Sequence, residues 1–406
     1  MYSDLSSYKN RVTVSCSYEG KKKGGSNMKK AILSVMMTAA VLASSMTVMA
    51  EEETIKIGAL FNLTGGQASI DAPSYQGFKL RADEINAAGG INGKMIEVVS
   101  YDGKTDQATC ANNAKKMIDV DNCVVVSGFS DSNYALAAGA IAQDKGVPFV
   151  ITGATLPDLC EQIGDYAFMV PFGDDTCAYA AAEYAYAEIG TKCYMMIDQS
   201  MEFTKTLADC FIERFEELGG EIVGSDNYMN GDPDFSAQID RFLNDDGGAE
   251  FLFCSSVPND AGPLVLQFRD KGVTMPIVSG DGFDTPLVAE VAGEQAYDVI
   301  ISTHCSFTNE AENVQNFVAA YTEAYGVAPE NAFAALGYDA MDLIAKALET
   351  VEDTTDTAAI RAAIEATTDY KGVTGTISYT AESHKPDKTA SILELVDGEF
   401  QFITEE

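Results

Sequence analysis

Short apolar runs along the chain alternate with longer stretches in which apolar residues recur at the spacing of an α-helix. Residues 54–61 (TIKIGALF) are the first such run and predict a buried strand. Residues 74–88 place Phe78 and Ile85 on one helical face and end at a Gly-Gly pair, which predicts a helix. The alternation starts afresh near residue 172. Because strand–helix alternation favours parallel sheets with helices on both faces, two such runs predict two α/β lobes.

The pattern becomes mainly helical after residue 303. Residues 314–325 carry an apolar face that includes Val314, Phe317 and Tyr321. Two further helices and two short strands are predicted in this part, over 333–349, 357–367, 375–379 and 392–396. These helices need an apolar surface to pack on, and the first run of strands has too few helices of its own. We therefore expect the chain to return to the first lobe.

The N-terminal part has the three regions of an export signal. Lys29 and Lys30 precede an uncharged apolar run over 31–48, and Val48-Met49-Ala50 matches the small-residue pattern of a cleavage site. A membrane anchor is the alternative, but the run is slightly short for a spanning helix and ends in a cleavage-like site. We predict a signal peptide over 28–50 that is cleaved after Ala50.

The signal has two consequences for the rest of the chain. Residues 1–27 precede it, so we interpret them as a mis-called upstream extension, with translation beginning at Met28. Glu51, not a cysteine, stands directly after the cleavage point, so the lipid-anchoring cysteine of exported lipoproteins is missing. The mature protein is expected to be soluble and periplasmic or extracellular.

The charge balance excludes one large class of partner. The chain has 26 Lys and Arg against 62 Asp and Glu, a net charge of −36 at pH 7. Nucleic acids are held by basic side chains, so nucleic-acid binding is excluded as a main role. Docking on anionic lipid is disfavoured for the same reason.

The cysteines indicate no metal site. Nine are present, and only Cys16 precedes the predicted cleavage point. The other eight follow it, and an even number of cysteines in an exported protein permits disulfides. Their spacing does not reveal how they would pair. Cys193 and Cys254 fall in apolar runs that read as buried strands. There is no CxxC motif and no Cys/His cluster, so we predict no metal and no cofactor.

Three predicted strands are followed by polar, glycine-rich turns, and ligands in open α/β sheets bind at such strand ends. After 123–127 comes a helix start with Ser132, whose hydroxyl and free N–H groups suit a carboxylate. Plain helix capping is the equally favoured alternative. After 148–151, Gly153 permits close backbone approach and Thr155 offers a hydroxyl, although an ordinary turn is favoured on spacing alone.

The third turn, after 276–279, contains Asp281 between two glycines. A carboxylate at a strand end suits an ammonium group, but Asp-Gly is also an ordinary turn. Motifs of nucleotide-binding and hydrolytic enzymes are absent from the chain. We interpret the lone His304 as structural and expect His384 to be solvated. Paired acids such as Asp174-Asp175 are expected to lie on the solvated surface. We therefore predict that the protein is not an enzyme.

Several segments together resemble the substrate-binding proteins of branched-chain amino-acid ABC transporters, which have the type I periplasmic binding protein architecture. These segments are IKIGALFNLTGGQASI, EINAAGGINGKMIEVV, GVPFVITGATLPDL, PDFSAQI, VSGDGFDTP and ALGYDA. The resemblance implies an α/β fold of two Rossmann-like lobes joined by three crossovers, near Pro171, Thr303 and Ala390. The implied first lobe is 54–171 plus 304–389, and the second is 172–303 plus 390–406.

The resemblance also implies roles for six residues. Ser132, Gly153 and Thr155 match the positions that hold the ligand carboxylate, and Asp281 matches the acid that holds its ammonium. Phe203 and Phe333 match aromatic residues that cover the ligand side chain. We expect Ser132, Thr155 and Asp281 to hold the ligand in the open first lobe before the second lobe closes.

The chain departs from the family pattern around the ligand side chain. Ile70-Asp71 and Phe203-Thr204 replace two Tyr-Gly pairs, and Val257 replaces an aromatic residue. Thr105 and Asp131 occupy the positions of a family disulfide, which is therefore expected to be missing. The altered positions leave three classes of substrate undecided, namely an aliphatic amino acid, an aromatic one and another small amide or acid.

The implied function is capture of an amino acid, branched-chain or related, and its delivery to the permease of an ABC transporter. The protein is expected to be a monomer. A ligand-sensing module of the same fold is the alternative, and an exported α/β enzyme is a more distant one because no nucleophile–base pair is found.

Overall fold

The computed structural model describes residues 54–406. The predicted upstream extension and signal peptide lie outside the described residues. None of the described helices is both long and apolar enough to cross a membrane.

The first lobe is built on a five-stranded parallel sheet. Its strands run in the order β2-β1-β3-β4-β5, and they are β1 (Ile55–Phe61), β2 (Ile96–Asp102), β3 (Val125–Gly128), β4 (Phe149–Ile151) and β5 (Ala167–Met169). The helices between them are α1 (Ala68–Ala87), α2 (Gln107–Asp119), α3 (Ser132–Lys145) and α4 (Leu159–Ile163). All strands except the edge strand β2 are buried along almost their whole length, because both faces of the sheet are covered there.

The second lobe is built on a seven-stranded sheet. Five parallel strands come first in the chain: β6 (Lys192–Asp198), β7 (Glu221–Tyr228), β8 (Phe251–Ser255), β9 (Ile277–Ser279) and β10 (Val299–Thr303). The helices among them are α5 (Asp174–Tyr184), which continues as a π-helical turn, α6 (Glu202–Glu217), α7 (Ser236–Asn244), α8 (Pro258–Asp270) and α9 (Leu287–Ala292).

The segment after β10 lies on the first sheet. It contains α10 (Glu312–Tyr325), α11 (Ala332–Glu349), α12 (Thr357–Glu365) and a hairpin of β11 (Tyr370–Gly372) and β12 (Gly375–Ile377). Leu336 and Ile344 of α11 share one apolar core with Ile57 of β1 and Phe78 of α1. Burial of this face explains why the late helices leave the second lobe.

The chain ends in the second sheet. The last strands are β13 (Ser391–Val396), which pairs antiparallel with β10, and β14 (Glu399–Glu405), which pairs antiparallel with β13. The order of the sheet is therefore β14-β13-β10-β9-β8-β6-β7. The chain thus passes between the lobes three times, between β5 and α5, between β10 and α10, and between β12 and β13. The predicted fold of two α/β lobes with three crossovers is confirmed, while the residue boundaries of the lobes stay a prediction.

Helix α1 begins six residues before the predicted start at residue 74. The pattern placed the start after Pro73, but the helix begins at Ala68 and contains the proline. Proline has no N–H, so it leaves the carbonyl of Ser69 without its helical partner. The Nδ2 of Asn331, just before α11, donates to that carbonyl at 2.9 Å. A contact from a distant part of the chain therefore compensates for the proline.

Candidate functional site

The two lobes enclose a small cavity between the carboxyl ends of their strands. Its volume is about 10 Å³, roughly the space of one water molecule. The lining residues are Gln67, Ile70, Ser130, Asp131 and Phe333 on the first lobe and Phe203, Val257, Pro258, Asp281 and Gly282 on the second. Because an amino acid is larger than this space, entry requires the lobes to separate.

Two weak contacts cross the cleft between the starts of α3 and α6. The Asn133 side chain at the start of α3 meets the start of α6, where its Nδ2 lies 3.9 Å from the Sδ of Met201. Its Oδ1 accepts from the backbone N–H of Glu202 at 3.5 Å. Both contacts are long and involve exposed or partly buried groups, so separating the lobes costs little at this edge.

Three of the six predicted ligand residues line the cavity directly, namely Phe203, Asp281 and Phe333. The other three lie behind its wall. A Cβ added to Gly153 would come within 2.8 Å of the Phe333 ring and 2.9 Å of the Ser130 hydroxyl. The structure therefore brings Gly153 against the cavity wall, and only glycine fits there without a shift.

Ser132 and Thr155 are both buried. The Ser132 hydroxyl accepts from the backbone N–H of Leu156 at 3.3 Å, and the Thr155 carbonyl accepts from the N–H of Asp174 at 2.7 Å. These bonds tie the ends of β3 and β4 to each other and to the first crossover. The carboxylate-binding roles of Ser132, Gly153 and Thr155 stay a prediction.

Asp281 is held by the second crossover. It follows β9, and its Oδ2 lies 2.9 Å from the Nε2 of His304, which comes directly after β10. Burial lowers the pKa of His304, so the imidazole is neutral at pH 7. Since a carboxylate only accepts, the proton lies on Nε2 and the histidine donates to Asp281.

The position of Asp281 corrects one expectation. It belongs to the second lobe, so it is not available to a ligand held only in the open first lobe. His304 also packs on Phe172, with ring centroids 4.1 Å apart, and against Phe333 at 5.6 Å. The carboxylate is therefore fixed from the hinge rather than by its own turn.

Two further acids lie beside the cavity on the first lobe. Asp71 accepts from the backbone N–H groups of Asn62 at 2.7 Å and of Ser130 at 2.8 Å. Burial raises its pKa to about 6, against smaller lowering effects of Ser130 and Asn62. Asp131 caps α3 by accepting from the N–H of Asn133 at 2.9 Å, and burial raises its pKa to about 7.

Asp174 was expected on the solvated surface and is instead fully buried at the start of α5. Within the described part of the chain, no donor forms a hydrogen bond to either carboxylate oxygen. Burial raises the pKa of this carboxyl well above its ordinary value, while Thr155 lowers it and the nearby Asp281 raises it by a smaller amount than Thr155 lowers it. The prediction was wrong because the first crossover brings the start of α5 into the interior of the protein.

His384 was also expected to be solvated and is buried. Its Nδ1 lies 2.9 Å from the carbonyl of Ala167, and its Nε2 lies 3.2 Å from Oε1 of Glu365. The ring stacks on Phe168 with centroids 4.2 Å apart. His384 therefore joins the third crossover to the edge of the first sheet and is remote from the cleft cavity.

A second polar group on the cavity wall was not predicted from the sequence. Gln67, in the turn before α1, is almost fully buried, and no described residue pairs with its Oε1 or its Nε2. The Ser130 hydroxyl is likewise without a hydrogen bond among the described residues. Gln67 follows Gly65-Gly66 in a turn, where a polar residue is ordinarily solvated.

Neither a disulfide nor a metal cluster appears in residues 54–406. All eight cysteines there are unpaired, and Cys193 and Cys254 are buried in strands as predicted. At the position of the expected missing disulfide, the Thr105 hydroxyl donates to the carbonyl of Thr64 at 2.9 Å. No group of three or more His, Cys, Asp or Glu residues is arranged to hold a metal ion in the same part of the chain.

Comparison with known proteins agrees with this architecture. An amino acid binding protein of Pseudomonas aeruginosa is 28% identical over 243 residues, which is 60% of this chain and 64% of that protein. The chain thus spans less than two thirds of this relative. A Leu/Ile/Val-binding protein homolog of Brucella abortus is 25% identical over 352 residues, covering 87% of this chain and 92% of that protein.

A solved structure and a family profile identify the family. The branched-chain amino acid transporter substrate binding protein of Streptococcus pneumoniae, solved in complex with isoleucine, is 31% identical with a TM-score of 0.81. The match covers 87% of this chain and 99% of that one. The profile of the periplasmic binding proteins matches residues 54–399. The chain therefore belongs to the periplasmic binding protein family.

Proposed function

We propose that this protein is an extracytoplasmic solute-binding protein that captures a free amino acid, branched-chain or related, in the cleft between its lobes. It then delivers the amino acid to the permease of an ABC transporter. The relatives described above support this proposal, since they include an amino acid binding protein and a transporter substrate-binding protein. Export through a signal peptide cleaved after Ala50, and the monomeric state, remain predictions from the sequence.

The observation that carries the proposal is the buried carboxylate of Asp281 on the cavity wall. Only 3% of its side chain is exposed, and its partner His304 is neutral. No Lys or Arg lines the cavity among the described residues. A buried anion without a cationic partner favours a cationic group on the ligand, and the α-ammonium of an amino acid fits this need.

The two ends of a zwitterion then contact different lobes. The carboxylate would lie at the N-terminus of α3 near Ser132 and Thr155, where the positive end of the helix dipole favours an anion. The ammonium would lie at Asp281 on the second lobe. A ligand that bridges both lobes stabilises the closed form over the open form, which is a ligand-driven population shift. This mechanism involves neither a covalent step nor turnover, so we propose that the protein is not an enzyme.

The substitution Asp281→Ala tests the proposal. It should weaken amino-acid binding by at least about 30-fold, because truncating one partner of a buried charge pair commonly costs about 2–5 kcal/mol. A thermal-shift screen against the twenty amino acids first identifies the ligand, since binding to the native state raises the melting temperature. Titration calorimetry then compares the two proteins.

Asp209→Ala is the matched control, because Asp209 is exposed on α6. It should bind like the wild type. Wild-type affinity in Asp281→Ala would contradict the assignment of the ammonium site. A wild-type protein that responds to no amino acid would contradict amino-acid capture itself.

A further inference from the structure

The cavity wall contains a primary amide that the protein itself does not pair. Gln67 is 1% exposed and lines the cavity together with Ser130 and Asp131. Throughout residues 54–406, no group forms a hydrogen bond with either its Oε1 or its Nε2. A buried amide with both ends unpaired is costly, so a group that enters the cavity and pairs with it is strongly favoured.

The chemistry of the amide restricts the entering group. Nε2 donates and Oε1 accepts, so the complement must accept and donate at neighbouring atoms. A carboxamide meets this need with its own carbonyl and NH₂, and forms two hydrogen bonds with Gln67. An ammonium group only donates and would leave Nε2 unpaired, while an aliphatic side chain would leave both atoms unpaired.

The rest of the wall agrees with a neutral polar group on a short apolar stem. Ile70, Val257, Phe203 and Phe333 offer apolar contact to methylene groups. The Asp131 carboxylate is a further acceptor for an N–H group. Asp131 and Asp281 together disfavour a side-chain carboxylate, because no Lys or Arg lines the cavity in the part of the chain described.

We propose that the cleft selects an amino acid with a carboxamide side chain, glutamine or asparagine, over the branched aliphatic amino acids. This inference rests on the proposed function, since it concerns the side chain of the same ligand. A site built to pair a polar group rejects an analogue that lacks it more strongly than an apolar pocket rejects an extra methylene. Gln67 is therefore the residue that we expect to determine specificity.

Titration of the wild-type protein with six amino acids tests the selection. The set is glutamine, asparagine, leucine, isoleucine, glutamate and lysine. Glutamine or asparagine should bind at least about 10-fold more tightly than any of the others. Tightest binding of leucine, isoleucine, glutamate or lysine would overturn the inference and leave amino-acid capture intact. Binding of no amino acid would instead overturn the proposed function.

The substitution Gln67→Leu tests the residue. Leucine nearly keeps the volume and removes both polar atoms, so affinity for the preferred carboxamide should fall at least about 10-fold while affinity for leucine stays or rises. Gln67→Glu keeps the acceptor and removes the donor, and should also lose the carboxamide preference. An unchanged ratio of glutamine to leucine affinity in both variants would overturn the assignment.

Gln401→Leu provides a matched control, because Gln401 is exposed on β14 and remote from the cavity. Its ratio of affinities should equal that of the wild type. Melting temperatures of all three variants without ligand establish that each is folded. A folded Gln67→Leu variant that keeps the wild-type preference is sufficient to reject the role of Gln67.

Discussion

At the scale of single residues, Asp174 is the least compensated charge in the described part of the chain. Its carboxylate is buried without a hydrogen-bond donor, while its backbone N–H bonds to Thr155. Asp174→Asn removes the charge and keeps the shape and the backbone bond. We expect the free energy of unfolding at pH 8 to rise by about 1–2 kcal/mol, because burial of an unpaired polar or charged group is relieved. Urea denaturation without ligand measures this change.

The sign of the effect with pH follows from the raised pKa of Asp174. The folded carboxyl keeps its proton to a higher pH than the unfolded one, so its stability cost is absent in acid and appears as pH rises. Asp174→Asn should therefore raise the free energy of unfolding more at pH 8 than at pH 5. Asp175→Asn is the matched control, since Asp175 is partly exposed and pairs with Lys385 at 2.8 Å, and it should change little. A loss of stability in Asp174→Asn at pH 8 would contradict this account.

The burial of single polar residues was the least predictable feature of the chain. Asp281 was identified because it lies between two glycines at the end of a predicted strand, where ligands bind in open α/β sheets. This rule uses only residues that are close together in the sequence. Its partner His304 was interpreted only as structural, and Asp174, His384 and Gln67 gave no local signal. Each of these is buried by an element that is distant in sequence, so no spacing rule along the chain reports it.

At the scale of elements, two glycines set how closely α1 and α11 pack. A Cβ on Gly77 would lie 1.8 Å from the carbonyl oxygen of Ala334, and a Cβ on Gly337 would lie 1.9 Å from that of Ser74. Gly337→Ala should therefore push the two helices apart, because the obstructing atoms belong to the backbone. We expect the free energy of unfolding to fall by about 1–3 kcal/mol. Thermal and urea denaturation measure the loss.

Gly139→Ala is the control for this prediction. Gly139 also lies inside a helix, α3, but the three atoms nearest to its added Cβ all belong to the side chain of Ile163 and none to backbone. Replacing a helical glycine by alanine adds about 1 kcal/mol of helix propensity, so this variant should be neutral or slightly stabilised. Equal losses in Gly337→Ala and Gly139→Ala would show that close helix packing is not the cause.

Helices and strands with strong apolar periodicity were predicted well. Very short elements were not predicted, and the helix that contains a proline was predicted with the wrong start. The helix over 333–349 and the strand over 299–303 follow directly from apolar spacing. The three-residue strand β5 and the short helix α4 carry too few positions to show a period. The start of α1 was misplaced because the contact of Asn331 with Ser69 makes Pro73 acceptable inside the helix.

At the scale of the whole molecule, the hinge and the ligand site share residues. Asp281 is held by His304 of the second crossover, and Asp174 of the first crossover is bonded to Thr155 at the end of β4. Movement of the lobes therefore changes the surroundings of the acids that face the cleft. The two-lobed plan was predictable because it depends on alternation over the whole chain, whereas this coupling depends on where the crossovers meet in space.

The whole protein should be more stable in mild acid than at neutral pH. Burial raises the pKa of Asp71 and Asp284 to about 6 and that of Asp131 and Asp260 to about 7, from an ordinary value of 3.8. Between about pH 4 and pH 7 the folded state therefore binds more protons than the unfolded state, and stability falls as pH rises through this window. The lowered pKa of His304 changes stability with pH in the opposite direction, but it is one group against four carboxyls.

Surface acids do not obscure this window. Carboxyls whose pKa is lowered by exposed partners, such as Asp226 beside Arg241, lose their contribution only below their ordinary values near pH 4. The melting temperature measured by calorimetry without ligand, at constant ionic strength, should therefore be several degrees higher at pH 5.5 than at pH 7.5. The net charge of −36 acts in the same direction, because partial protonation reduces self-repulsion, and added salt should reduce only that part. A melting temperature that is constant or rises from pH 5.5 to pH 7.5 in high salt would show that the buried carboxyls are not protonated in the folded protein.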